Sequence, residues 1–197
     1  MPKTDEETEL RRQGGDSMVK SREEVLFANA KAEYEKAVIT IERLIDGVIK
    51  STPDFKYAVK DFLVDYDAYL QALLLKICSL NGSFGKTEMR FIEEIAKHGK
   101  LFDGTDLNYF ADGSKEITDK LSEKAEEKLN EIPIFFKLST AIDGAKNTSV
   151  SSAVFKETAK ILFDFNLLKG NGADKKSVVI SLNRLYAFLV SKGVKIN

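Results

Sequence analysis

Few side chains in this sequence have the chemistry of a reactive centre, and they lie far apart. There is one histidine, His98, and one cysteine, Cys78, in 197 residues. Local spacing places no Ser or Cys nucleophile and no orienting acid beside His98, so its simplest role is a last-turn residue on the negative end of a helix dipole. Cys78, within Lys76-Ile77-Cys78-Ser79-Leu80, reads as a small core side chain. Gly85-Lys86-Thr87 has the ending of a phosphate-binding loop. The position five before Gly85 is Leu80 instead of glycine, however, and the segment ahead has helical periodicity where a strand is required. Asp103-Gly104-Thr105-Asp106 and Asp112-Gly113-Ser114 offer calcium-type oxygens, but neither run has glycine at the sixth position, and both read as turns. A more suggestive group is Asp61, Asp65, Tyr66 and Tyr69. Asp61 and Asp65 are four apart and crowd one helix face. With the two tyrosines they suit a groove for a basic segment of a partner, the aromatic rings supplying contact area and the acids steering; a plain solvated acidic face is the competing reading.

Helices must position these groups. Ser21 and Glu24 have capping-box spacing, and Leu26, Ala30, Tyr34, Ala37, Ile41, Leu44 and Val48 follow at steps of three and four. Thr52-Pro53-Asp54 is expected to start the next helix, as cap, first-turn proline and favourable acid. Phe55, Val59, Phe62, Tyr66, Tyr69, Leu73, Ile77 and Leu80 continue the period. Further helices are expected at 86–97, 117–130, 133–143, 151–168 and 175–192, with a short turn or helix around 106–111. The inward stripe of the last is Val178, Leu182, Leu185, Tyr186 and Leu189. No stretch sustains period-two alternation. The expected fold is therefore all-α, a bundle of about seven or eight helices, with residues 1–17 a disordered polar tail and 18–197 one helical domain. Gly170-Asn171-Gly172-Ala173-Asp174 is a connection whose Asp174 caps the last helix.

Two helix-loop-helix units echo each other. The first runs from Leu73 through Leu80-Asn81-Gly82, a polar loop, and on to Phe91-Ile92-Glu93-Glu94-Ile95-Ala96-Lys97. The second runs from Phe135 through Ala141-Ile142-Asp143-Gly144, a loop one residue longer, and on to Val154-Phe155-Lys156-Glu157-Thr158-Ala159-Lys160. Asn81-Gly82 and Asp143-Gly144 are read as helix ends, where Asn, Asp and Gly tolerate the left-handed cap.

Leu80-Asn81-Gly82-Ser83-Phe84-Gly85-Lys86-Thr87-Glu88 resembles the hallmark of the TerB-like (tellurite-resistance) family: a helix ending in Asp-Gly, an apolar residue two on, and a Glu six residues after the Gly. Asn81, Gly82, Phe84 and Glu88 fall on those positions, and Ala141 to Gly144 looks like the family's second turn. The resemblance implies a TerB-like core over roughly 52–193 and a place in bacterial stress-response, surveillance or defence systems. It also implies a possible divalent-cation site, for calcium or manganese, at Asn81, Glu88 and Asp143. Hard cations need several oxygen ligands. Asn81 stands where the pattern has Asp, and Ser151 occupies the place in the second unit that Glu88 holds in the first.

Composition sets the outer limits. A net charge of -1 carries no overall basic footprint for nucleic acid, and the longest apolar runs fall far short of the roughly 20 residues that span a bilayer. Residues 169–197 are locally basic, with six Lys or Arg against one acid. They could meet an acidic partner or phosphates, or simply form a solvated face. With the TerB-like resemblance, the expectation is a cytoplasmic, non-enzymatic bacterial interaction module that presents a groove to a protein partner, as a monomer or a homodimer. A metal-binding or sensing domain is the alternative from the same turn residues. A metal-dependent hydrolase using Glu88, Asp143 and Glu157 is a further one.

Overall fold

Ser21 opens the first helix as its pattern requires. Its hydroxyl accepts from the Glu24 amide at 3.2 Å while the Glu24 carboxylate accepts from the Ser21 amide at 2.7 Å, so two donors that a helix start leaves bare are satisfied reciprocally. The computed structural model describes residues 21–81, 85–102, 106–108, 115–168 and 175–196. Among these are seven helices and no strand: α1 (Arg22–Ser51), α2 (Val59–Asn81), α3 (Lys86–Ile95), α4 (Lys115–Leu129), α5 (Ile134–Lys146), α6 (Val150–Leu168) and α7 (Lys175–Ser191). A further helical turn covers 106–108. The expected tail at 1–17, Gly82, most of both Asp-Gly runs and the 170–174 connection lie outside the described residues. No described helix is long and apolar enough to cross a membrane.

The centre of the bundle is α2, which packs against α1, α4, α5, α6 and α7, while α1 and α6 lie along one another. The reason is its composition: every residue from Tyr66 to Leu75 is buried, so this helix has no solvent face over nearly three turns. Phe62, Leu70, Leu74 and Ile77 fill the middle with Phe91, Phe135 and Phe165 from α3, α5 and α6. Burying each such side chain contributes about 1.5–3 kcal/mol. The phenylalanines meet at tilted and edge geometries, with Phe91 5.2 Å from Phe27 and 5.1 Å from Phe165. Cys78 is buried here, in keeping with a core side chain.

Three sequence expectations, two about helix boundaries and one about a helix face, give way to packing. Thr52 closes α1 and does not cap α2, which begins only at Val59. The intervening chain curls so that Phe55 stacks on Phe62 at 6.1 Å and Tyr57 meets it edge-on at 6.0 Å; the Asp61 carboxylate then takes the Ala58 amide at 2.8 Å. Covering Phe62 outweighs a cap at Thr52. Likewise α5 does not stop at Asp143-Gly144. It continues to Lys146, and the left-handed position is Asn147, with φ 51°. Finally, Tyr186 is not on the inward stripe of α7, which is instead Ser177, Val178, Ser181, Leu185 and Leu189. The end of α7 follows the rules closely. Gly193, with φ 84°, lets the Val194 amide reach the Leu189 carbonyl at 3.0 Å and its own amide reach Val190 at 2.9 Å, and Val194 is buried over the turn.

Candidate functional site

Inside the all-buried stretch of α2 stand two polar residues four apart, Asp67 and Gln71. Both look out of the helix at the chain that follows α3. Gln71 braces that chain: its amide nitrogen donates to the carbonyls of Ala96 (3.2 Å) and Gly99 (3.4 Å), and its oxygen accepts from the amides of Leu101 and Phe102, both at 3.2 Å. Gly99 makes the approach possible, since a Cβ there would lie 2.6 Å from Gln71 Cδ and 2.9 Å from the Asp67 backbone carbon.

Asp67, with none of its surface exposed, gathers four contacts. The Tyr34 hydroxyl from α1 lies 2.9 Å from each carboxylate oxygen. The His98 amide donates to Oδ2 at 2.8 Å, and His98 Nδ1 lies 3.0 Å from the same oxygen. Tyr34 and His98 Nδ1 are 3.1 Å apart, closing a triangle across three elements. A carboxylate oxygen facing Nδ1 places a proton on Nδ1, because two lone pairs at that distance repel, and in the neutral ring the lone pair is then on Nε2. The His98 side chain is 42% exposed. Burial pushes the Asp67 carboxyl above the ordinary aspartate range, against the pull of the His98 amide and the Tyr34 hydroxyl. Burial and the nearby Asp67 charge push the Tyr34 phenol strongly upward, so it stays a donor. Sequence reasoning missed this acid because it is non-local, 31 positions from His98. The legible signal was Asp67 and Gln71 at i and i+4 in a helix with no polar face.

Two of the turn residues expected to hold a cation, Glu88 and Asp143, are engaged as helix caps. Glu88 Oε2 accepts from the Gly85 amide at 3.0 Å, at the start of α3. Asp143 reaches forward to the start of α6: Oδ1 accepts from the Thr148 hydroxyl (2.6 Å) and the Val150 amide (2.9 Å), and Oδ2 from the Ser151 amide (2.9 Å). Burial pushes the Asp143 carboxyl up, but those donors outweigh it and hold it below its ordinary value. Ser151 is buried and shares a 2.7 Å hydrogen bond with Ser139 of α5. Asn81 is the last residue of α2; its side chain lies outside the described set. Among the described residues no three His, Cys, Asp or Glu side chains converge as a metal site. Glu157 shares Lys160 with Glu33, at 2.9 and 3.0 Å. Hydrogen bonding to Glu157 and to the two lysines holds Glu33 down at about 2, against burial. The segment before Gly85-Lys86-Thr87 is helix α2, not the strand a phosphate-binding loop needs.

The four acidic and aromatic residues of α2 do not form one exposed face. Tyr66 and Tyr69 are buried, the former bonded to the Thr158 hydroxyl at 2.9 Å. Asp65 bonds Lys128 Nζ at 2.6 Å and caps α5 through the Ile134 amide at 2.6 Å; Asp61 caps Ala58. The two carboxylates are spent on helix starts, and the Tyr66 hydroxyl on the middle of α6.

An exposed surface of a different kind lies at the C-terminal end. Besides its buried stripe, α7 carries Val179, Ile180, Tyr186 and Val190 outward, each more than 40% exposed. Val179, Tyr186 and Val190 are seven and four residues apart and share one line along the helix. Tyr186 rests against Phe155 of α6, with ring centroids 6.1 Å apart. Together with Ser152, Ala159 and Ile196 they line a groove of about 720 Å³. Lys156 lines it beside Glu157, and Lys195, whose carbonyl accepts from the Ser152 hydroxyl at 3.4 Å, lies next to it; both lysines are exposed. Comparison with known protein families, with curated proteins and with solved structures finds no match to this chain.

Proposed function

We infer that the protein is an interaction module whose α6–α7 groove receives an amphipathic helix with acidic flanks. The observation that carries this is the second apolar face of α7. A helix at the surface of a bundle needs one apolar stripe, and here the outward line of Val179, Tyr186 and Val190 adds another, next to a groove on α6. Scattered surface apolar residues need no partner, but a line at helical spacing beside a groove is the geometry that helix-in-groove recognition uses. The lysines on the rim select for acids and speed encounter. The sequence likeness of Asn81-Gly82 and Asp143-Gly144 to the TerB-like hallmark, with that family's bacterial stress-response associations, supports reading the protein as an interaction module.

The test is fluorescence anisotropy with a labelled helical peptide carrying Leu at i, i+3, i+4 and i+7 and Glu at both ends. The full chain binds it, Tyr186→Glu weakens binding at least tenfold, and a peptide with Lys in place of the flanking Glu binds more weakly. Equal affinity of Tyr186→Glu and the parent, or preference for the Lys-flanked peptide, refutes the assignment.

A further inference from the structure

His98 is not on the α6–α7 groove, and its geometry asks for a separate account. Its ring is pinned through Nδ1 by a carboxylate that no solvent reaches, while 42% of the side chain stays exposed. The peptide on which it rides is held by the Gln71 bonds and by the close approach of Gly99. A side chain serving only to end a helix would need none of this, because the Asp67 carboxylate already takes the His98 backbone amide.

Three kinds of chemistry use an imidazole oriented in this way. As a metal ligand it needs companions, and no such group converges among the described residues. As a general base it needs a substrate cleft. The cleft of about 580 Å³ on the same loop is lined by Ala96, Lys97, Gly99, Lys100, Phe102 and Lys124 among others, and leaves His98 out. As a nucleophile toward a group carried by another molecule it needs only an outward lone pair, a fixed tautomer and a counter-charge for the cation formed.

We propose that His98 is a phosphoryl acceptor, taking the group on Nε2 from a high-energy donor of the acyl phosphate or phosphoramidate class. The Nε2 lone pair forms the N–P bond. The P–O bond of an acyl phosphate breaks with its electron pair leaving on the carboxylate; the P–N bond of a phosphoramidate, already protonated on nitrogen at neutral pH, breaks with its pair leaving on neutral ammonia or amine. The Nδ1 proton stays where it is. The ring becomes cationic, and the Asp67 carboxylate 3.0 Å from Nδ1 balances that charge; Asp67 is thus a positioning residue for the step. The new dianion lies on the face away from Asp67, on a loop where exposed Lys97 and Lys100 flank His98 in the chain.

The experiment treats the folded full chain with potassium phosphoramidate, and separately with acetyl phosphate, at neutral pH, following intact mass and the ³¹P spectrum. The native protein is expected to gain one phosphoryl on Nε2 at least tenfold faster than the same chain unfolded in urea. His98→Asn is expected to abolish the product. Asp67→Asn is expected to slow it about tenfold. Should Asp67→Asn fail to fold by circular dichroism, Tyr34→Phe, which keeps the ring packing and removes one donor to Asp67, replaces it and is expected to change the rate while leaving the product on Nε2. Equal rates for the native and unfolded chain, a product on Nδ1, or label found on lysines alone overturns the proposal. None of these outcomes depends on the α6–α7 groove.

Discussion

Asp143 offers the sharpest test of how the fold is held. Replacing it with alanine removes three hydrogen bonds at the start of α6, from Thr148, Val150 and Ser151, and leaves two backbone amides unpaired where α6 packs on α5. A bond to an ionised group contributes about 1.5–3 kcal/mol, and three that share one carboxylate do not add fully, so Asp143→Ala is expected to cost about 3–4 kcal/mol. Asp143→Asn keeps one acceptor and the shape, and is expected to cost about 1–2 kcal/mol. For a chain of this length each kcal/mol moves Tm by about 2–4 °C, so alanine lowers it by about 6–16 °C. The pH dependence has a definite sign. The folded-state value of Asp143 is depressed below 3.8, so its stabilisation is fully present above that value and is lost as pH falls through the depressed one. Calorimetric melts of parent and Asp143→Asn should therefore differ at pH 7 and converge below 3.8. Identical melts at pH 7, or a gap that widens on acidification, would show that the carboxylate does not cap α6.

Other substitutions probe the remaining joints. Gly99→Ala sets a Cβ 2.9 Å from the backbone of Asp67, a clash that turning the Gln71 side chain cannot relieve, and is expected to cost about 1–3 kcal/mol in a denaturant titration. Asp65→Ala breaks the link from α2 to both Lys128 and the Ile134 amide and is expected to cost about 2–3 kcal/mol by the same assay; Asp61→Ala, which loses only the Ala58 amide on an exposed turn, is expected to cost about 1 kcal/mol or less. Because both oxygens of Asp143 already have protein donors, calcium or manganese at millimolar concentration is expected to leave Tm unchanged; a rise of several degrees would restore the cation reading of Asn81, Glu88 and Asp143.

Much of the fold is legible because helix signals are local. Ser21 and Glu24 announce α1, and the run from Tyr66 to Leu75 announces a helix buried on all sides. Boundaries fail where a packing contact that spacing does not encode wins, as at Thr52, where covering Phe62 with Phe55 and Tyr57 displaces the cap. The acidic residues mislead for the same reason. Asp61, Asp65 and Asp67 look alike in sequence, but one caps its own helix, one ties α2 to α4 and α5, and one is sealed behind Tyr34 and His98. Sequence spacing gives the helix face of each aspartate, whereas the partners of Asp65 and Asp67 come from 31 to 69 positions away. Tyr186 illustrates the converse: α7 is apolar around most of its circumference, so periodicity alone does not tell which side is inward.

Amide shift mapping of the isotope-labelled full chain, titrated with the Glu-flanked helical peptide, tests the central claim most directly. Perturbations gathered on 152–159 and 179–196, and lost in Tyr186→Glu, are the predicted result. Perturbations centred on the α1–α2 corner around Tyr57, or none at millimolar peptide, would contradict it.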